Sequence, residues 1–253
     1  MKPDARTIRV VIVDDEAPAR ALLREYCEAH DDVEVVGECE NGFEAVRTIG
    51  EKTPDVVLLD VQMPKLDGFE VLELLDRPPV VVFVTAYDEY ALRAFEVHAV
   101  DYVLKPVGRE RLDKALARAR ERLEAAAPPA PPRAAALAAS ARPPGEHLAR
   151  VLVKDGVIVH VIPVARIDWI EAQDDYVAIH AEGRSHLKNQ TVADLADLLD
   201  PARFVRIHRS YVINLDRLAR LELMAKDSRI AILKDGKELP VSRAGYARLR
   251  ELM

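Results

Sequence analysis

Five polar residues stand where apolar runs end. Asp14 and Asp15 close "IRVVIVDD", Asp60 closes "VVLLD", Thr85 closes "VVVFVT" and Lys105 closes "DYVLK". An aspartate at the end of a buried strand is either a cap for the next turn or a reactive carboxylate. Three carboxylates drawn together repel one another unless a cation sits among them. The donors on offer are all oxygen, with no His or Cys nearby, so a hard ion such as Mg²⁺ fits best. Lys105 adds a fixed positive charge and Thr85 a hydroxyl donor. Together these groups make a pocket for a phosphoryl group carried on Asp60, because an aspartyl carboxylate is a competent phosphoryl acceptor and nearby cations offset the charge of transfer. Met63-Pro64 and Asp67-Gly68 shape the loop beside it.

Those residues work together only if the chain brings the strand ends to one place. In the first half, the apolar runs "IRVVIVD", "VEVVGECE", "DVVLLD", "VVVFVTA" and "DYVLK" alternate with amphipathic segments, among them "APARALLREYCEAH", "NGFEAVRTIGEK", "DGFEVLELLDR" and "DEYALRAFEVH". A fifth helix carries Leu112, Leu116, Ala119 and Leu123 on one stripe. Strands this apolar are covered on both faces, which predicts a parallel sheet in a doubly wound α/β domain. Ligands in such sheets bind outside the carboxyl ends of the strands, where the polar residues fall.

The chain has 253 residues, 49% hydrophobic, with a net charge of −7. That length suits one large domain or two ordinary ones. No apolar run approaches the ~18 residues of a membrane span, and "MKPDARTIRV" lacks the apolar core of a signal peptide, which predicts a cytosolic protein. Cys27 and Cys39 fit no metal or redox spacing and read as free, partly buried thiols. The charge is uneven. Residues 1–125 hold 17 Lys and Arg against 27 Asp and Glu, whereas residues 203–253 hold 12 against 6. An acidic front and a locally basic tail point to different partners for the two ends.

The boundary lies in "AAAPPAPPRAAALAASARPPGEHL", whose prolines forbid a regular helix or a central strand. It separates a domain over 1–124 from one over 148–253, with a Pro/Ala-rich linker over 125–147. Within the linker, "RAAALAAS" has the composition for a helical turn or two. After it, short strand-like runs dominate, and "KDG" at 154–156 and 234–236 marks hairpin turns. Helical pattern is confined to "QTVADLADLL" and "RAGYARLREL". This predicts a mainly antiparallel β domain. In "FVRIHRSYVINLDRL", Val205 and Ile207 face a core while Arg206 and His208 face outward. Guanidinium groups at loop tips suit phosphates and guanine edges. A β domain with solvated arginines that binds a protein partner is the contrasting reading. Trp169, set among apolar strand residues, reads as core rather than as a base-stacking platform.

"VIVDDE", "LLDVQMPKLDG" and "FVTAYDEYALRAFEVHAVDYVLKP" resemble the receiver domain of two-component response regulators, over residues 8 to about 122. The resemblance implies a five-stranded, flavodoxin-like receiver in which Asp60 takes phosphate from a sensor histidine kinase. It implies that Asp15, Asp60 and the backbone carbonyl of Gln62 hold Mg²⁺, with Asp14 acting through water. It further implies that Thr85 and Lys105 bind phosphoryl oxygens, that Tyr102 is the switch aromatic, and that Lys105-Pro106 is a cis peptide. A haloacid-dehalogenase-like enzyme would also use a strand-end aspartate, but it expects a second acid two residues on, where this chain has Gln62. Similarly, "IDWIEAQDDYVAIH", "FVRIHRSYVINLDRL" and "LPVSRAGYARL" resemble the LytTR DNA-binding domain, and the order of the two domains is that of the LytR/AlgR class of transcriptional regulators. This implies double-stranded promoter DNA as ligand, with direct repeats, and a homodimer formed on phosphorylation. The base contacts it implies are Gln173-Asp174-Asp175, Arg209 and Arg243, with Lys188, Arg206 and His208 as phosphate contacts or supports. No enzymatic activity beyond the receiver's own phosphorylation and dephosphorylation is expected.

Overall fold

A computed structural model of the protein describes residues 7–75, 77–88, 90–91, 94, 97–125, 147–156, 158–225 and 228–252. The chain divides into two compact units, Met1–Ala141 and Arg142–Met253. Nearly all of the expected linker, including "RAAALAAS", lies outside the described residues, as does part of the helix expected over 88–98.

The first unit runs β1 (Ile8–Val13), α1 (Ala17–Glu28), β2 (Val33–Cys39), α2 (Gly42–Lys52), β3 (Val56–Leu59), α3 (Gly68–Glu73), β4 (Val80–Thr85), β5 (Asp101–Leu104) and α4 (Arg109–Glu124). The strands form one sheet in the order β2-β1-β3-β4-β5, and every pairing is parallel. Period-2 alternation serves two cores. Val10, Ile12, Val56, Leu58, Val82 and Val84 pack with Leu23 and Cys27 of α1 and with Leu112 and Leu116 of α4. Their neighbours Val11, Val13, Val57 and Leu59 are also fully buried, as alternation to the opposite face requires. Phe83 meets Phe69 of α3 at 4.8 Å between ring centroids. The order changes direction between β1 and β3, so their carboxyl ends flank the crevice where such folds bind ligands.

Local chemistry sets the helix starts. Asn41 caps α2 by accepting the Glu44 N–H. Asp67 and Glu70 form a reciprocal capping box on α3. That helix spans only six residues, shorter than the run "DGFEVLELLDR" predicts. Gly68 is required at its start, because a Cβ there would lie 2.4 Å from the Asp60 carbonyl oxygen. Both cysteines are free and buried, and burial pushes the Cys27 thiol up to about 12.

The second unit runs β6 (Arg150–Asp155), β7 (Ile158–Pro163), β8 (Ile167–Gln173), β9 (Tyr176–Ala181), β10 (Arg184–Lys188), α5 (Val192–Leu198), β11 (Phe204–His208), β12 (Tyr211–Asn214), β13 (Leu218–Ala225), β14 (Ser228–Leu233), β15 (Glu238–Val241) and α6 (Arg243–Leu252). Its sheets are β10-β9-β8-β12-β11, β13-β14-β15 and the hairpin β6-β7, and all pairings are antiparallel. The five-stranded sheet is buried on both sides. Ile170 and Val212, paired across β8 and β12, join a core with the β6-β7 hairpin and α5. The next pair, Trp169 and Ile213, joins a second core with β14, β15 and Leu249 of α6. Trp169 is thus a core residue, stacked on His180 at 3.6 Å. Both KDG sequences sit at hairpin turns with their glycines at positive φ.

Candidate functional site

In the first unit the strand register brings the five polar residues to one end of the sheet. A carboxylate oxygen from each of Asp14, Asp15 and Asp60 falls within 4.8 Å of the others. Asp14 and Asp60 are buried and Asp15 is exposed. Lys105 reaches the two buried ones. Its Nζ donates to Asp60 Oδ2 at 2.8 Å and to Glu16 Oε2 at 3.0 Å, and pairs with Asp14 Oδ2 at 2.8 Å without hydrogen-bond alignment. An unpaired buried carboxylate costs several kcal/mol, so this single ammonium makes the cluster tolerable. Burial opposes the charge on Lys105, but the three carboxylates outweigh it and hold its pKa above the ordinary lysine value. Burial lifts the Asp14 carboxyl above its ordinary value against the pull of Lys105 and of the Glu16 N–H.

Thr85 is fully buried, and its hydroxyl has no hydrogen-bond partner among the described residues. Leaving such a donor unmatched costs about 1–3 kcal/mol, which an incoming acceptor oxygen would relieve. The cluster opens into a cavity of about 570 Å³ lined by Asp15, Glu16, Asp60, Gln62, Tyr90 and Lys105, among others. Gln62 stands at its rim, with its N–H on Asp60 Oδ1 at 3.3 Å and its Nε2 donating to the Tyr90 hydroxyl at 3.0 Å. The Tyr102 hydroxyl donates to the Tyr87 carbonyl, which ties β5 to the loop after β4. Lys105-Pro106 is cis. Among the pocket residues that sequence reasoning passed over are Glu16 and Tyr90. The acid directly after Asp14-Asp15 was a visible signal for the first, whereas the second is placed only by the fold.

In the second unit the register gathers the predicted arginine and turn segments. Gln173 pairs with Tyr176, so Asp174-Asp175 forms a two-residue hairpin turn, with Asp174 at φ 50°. His208 pairs with Tyr211, leaving Arg209-Ser210 as a second such turn. Tyr211 lies opposite Glu171, and the Ala172 N–H donates to the Ser210 carbonyl at 2.9 Å, so both turns share one end of the sheet. The start of α6 is fastened there too. The Ser242 N–H donates to the Ile207 carbonyl at 2.9 Å, and the Ser242 hydroxyl caps the helix by accepting the Gly245 N–H at 3.0 Å. A Cβ on Gly245 would fall 1.9 Å from the Ile207 oxygen, so only glycine permits that approach. Gln173, Asp174, Asp175, Arg209 and Arg243 are all exposed.

Four other basic residues are tied to the scaffold. Arg206 donates to the Arg209 carbonyl at 2.7 Å, and His208 Nδ1 accepts the Ser210 N–H at 3.2 Å, so both brace the turn that carries Arg209. Lys188 donates to the Leu152 carbonyl at 2.7 Å and joins β10 to β6. Arg248 of α6 donates to the Arg206 carbonyl.

Comparison with known proteins identifies the family of each unit. Residues 10–117 match the response regulator receiver domain family, and residues 158–253 match the LytTr DNA-binding domain family. The chain is 37% identical over 251 residues to the transcriptional regulatory protein BtsR of Escherichia coli K12, covering 96% of this chain and 98% of that protein. It is 30% identical over 249 residues to the sensory transduction protein LytT of Bacillus anthracis, covering 97% and 99%. It is 35% identical over 246 residues to an uncharacterised response regulatory protein of Yersinia pestis, covering 96% and 98%. A strand-end acid cluster beside a lysine, joined in one chain to a β unit that exposes one arginine on a hairpin turn and another at a helix start, is thus the architecture of a transcriptional response regulator, and this chain belongs to the LytR/AlgR class, which couples a receiver domain to a LytTR DNA-binding domain.

Proposed function

We propose that Asp60 is the phosphoacceptor and that its phosphorylation governs promoter binding by the second unit. The observation that carries this reading is the placement of Asp60 Oδ2 2.8 Å from Lys105 Nζ, inside a cluster of two further carboxylates and beside the unmatched Thr85 hydroxyl. An Asp60 carboxylate oxygen attacks the phosphorus of a phosphohistidine on a sensor histidine kinase. A P–O bond forms, the P–N bond breaks, and the imidazole leaves with the electron pair. Lys105 holds the incoming oxygens by charge, and Thr85 donates its proton to one of them.

The all-oxygen donors of Asp14, Asp15 and Asp60 fit a hard divalent cation. Asp15, Asp60 and the Gln62 carbonyl would hold Mg²⁺ directly, with Asp14 acting through water. When bound, that ion supplies positive charge against the phosphoryl oxygens. Tyr102, hydrogen-bonded to the loop after β4, reports the state of Thr85 to the β5 face as the switch residue.

In the second unit, Arg209, Arg243 and the Gln173–Asp175 turn face the DNA, with Arg206 and His208 shaping the turn behind them. Lys188 supports the hairpin. Phosphorylated receivers pair into a homodimer, which raises the local concentration of the second DNA module at direct repeats. The domains meet through a linker over 125–147, and the protein works in the cytoplasm. The test is incubation with acetyl phosphate and Mg²⁺ followed by mass measurement. One phosphoryl group is expected on the wild-type chain and none on Asp60→Asn. Equal labelling of the two would sink the assignment.

A further inference from the structure

The third acid of "DDE" has no part in the roles given so far. Glu16 occupies the N-cap position of α1, where a carboxylate would normally accept a backbone N–H, yet its side chain makes no cap bond. The carboxylate is instead drawn to Lys105, at 3.0 Å from Nζ. A lysine ammonium has three protons, and three carboxylates surround this one: Asp14 at 2.8 Å, Asp60 at 2.8 Å and Glu16 at 3.0 Å. Two of these are fixed. Asp14 is buried at the end of β1 and accepts the Glu16 N–H through its other oxygen, and Asp60 is the reacting group. Glu16 alone is mostly solvent-exposed, at 65%, and it lines the cavity through which a phosphodonor reaches Asp60.

We propose that Glu16 is an electrostatic counterweight: it occupies one N–H donor of Lys105 while Asp60 is bare, and it must yield that donor when a phosphoryl group arrives. This rests on Asp60 being the phosphoacceptor. Glu16 touches neither the acceptor carboxylate nor the phosphorus, so it is a positioning residue. Its effect has two physical parts. It competes for the Lys105 donor that a phosphoryl oxygen needs, and its negative charge stands in the path of an anionic donor. The same carboxylate keeps the ammonium balanced before phosphorylation. Glu16 thereby sets how readily small anionic donors load the site.

The experiment measures the rate of phosphorylation by acetyl phosphate, at saturating Mg²⁺, for the full-length wild type, Glu16→Gln, Glu16→Asp and Asp60→Asn. Glu16→Gln keeps the shape and removes the charge. It is expected to load roughly two- to fivefold faster at low salt, the range set by an exposed ion pair, chiefly through a lower apparent KM for acetyl phosphate. The gain should shrink as ionic strength rises and screens the carboxylate. Glu16→Asp, which retains the charge, should stay within twofold of wild type. The half-saturating Mg²⁺ concentration should be the same in wild type and Glu16→Gln. Equal rates for wild type and Glu16→Gln at low salt overturn the counterweight and leave the Asp60 reading intact. A gain that persists unchanged in high salt, or one accounted for by altered Mg²⁺ affinity, also overturns it. Failure of the wild-type chain to take any phosphoryl group removes the Asp60 reading and the counterweight together.

Discussion

The two ends of the molecule that do chemistry are built on opposite principles. In the first unit, the strand-end cluster is charged and buried. Asp14 and Asp60 share one lysine, which offsets part of their joint charge and leaves the rest for an incoming cation. In the second unit, Arg209 and Arg243 are exposed, while Arg206 and His208 bond to the backbone of the turn that carries Arg209 and Arg248 bonds to the strand before it. A buried carboxylate needs a positive partner before any ligand arrives, because without one its charge is uncompensated. An exposed arginine needs only a rigid support, since water solvates it until DNA replaces the water. Mutations that strip the pocket of its positive charge should therefore change chemistry and folding together. Mutations at the turns should change binding alone.

The largest expected effect is the loss of phosphorylation in Asp60→Asn while its thermal unfolding stays cooperative, measured by labelling and calorimetry. A variant that unfolds instead would show that the pocket cannot lose even one charge and keep its shape. Next in size is Gly245→Ala. Because the added Cβ meets the Ile207 carbonyl, α6 must lift from β11, at a cost of roughly 3 kcal/mol or more, read as a lowered unfolding midpoint of the second unit. If stability is unchanged, the helix is not seated on β11 in solution.

Arg209→Ala and Arg243→Ala test the other side of the comparison. Each should cost roughly 1–3 kcal/mol of affinity for a cognate duplex and much less for a scrambled one, with the fold intact. Competition binding at several salt concentrations separates base reading from phosphate binding. An unchanged cognate-to-scrambled ratio would make both residues backbone clamps. Asp15→Asn probes the exposed member of the acid cluster. It should raise the half-saturating Mg²⁺ concentration by roughly tenfold, seen in amide shifts, and an unaltered midpoint would remove Asp15 from the ligand set.

The smallest effect concerns pH. Burial would push the Asp101 carboxyl up, but its pairs with Arg111 and Arg118 and the Tyr102 N–H overcome that and hold it below the usual range. A depressed carboxylate pKa contributes stability above the unfolded value of about 3.9, and that stability is lost as pH falls through the folded value. Arg111→Ala should therefore weaken the first unit at pH 7 and narrow its loss on acidification. The Arg111 side chain is 37% exposed, so solvent screening keeps the change at about 1 kcal/mol or less. Thermal melts from pH 7 to pH 3 measure it. Identical acid profiles for variant and wild type would mean that Arg118 and the Tyr102 N–H, rather than Arg111, keep Asp101 ionised.

The sequence by itself determined the things that short-range chemistry controls. Period-2 alternation and uninterrupted apolar runs specify strands buried on both faces, and the polar residues that end them mark the ligand end of the sheet. Turn chemistry is equally local, as the two KDG hairpins and the Asp67–Glu70 capping box illustrate. The family resemblance was readable because its motifs are made of such local segments. Only the tertiary structure decided which distant groups share a charge. Nothing in the spacing of Glu16, Asp60 and Lys105 says that one ammonium serves three carboxylates, because that depends on the parallel register of β1, β3, β4 and β5. The resemblance sets Arg209 apart from Arg206, but only the folded register shows how two basic residues three positions apart come to differ. One turns to solvent and the other spends its guanidinium on a backbone carbonyl, and the bulge between Arg206 and His208, together with the close seating of Gly245, separates them. Burial, register and competition for hydrogen-bond partners arise only once the chain has closed on itself, and these assign each charged side chain to the scaffold or to the ligand.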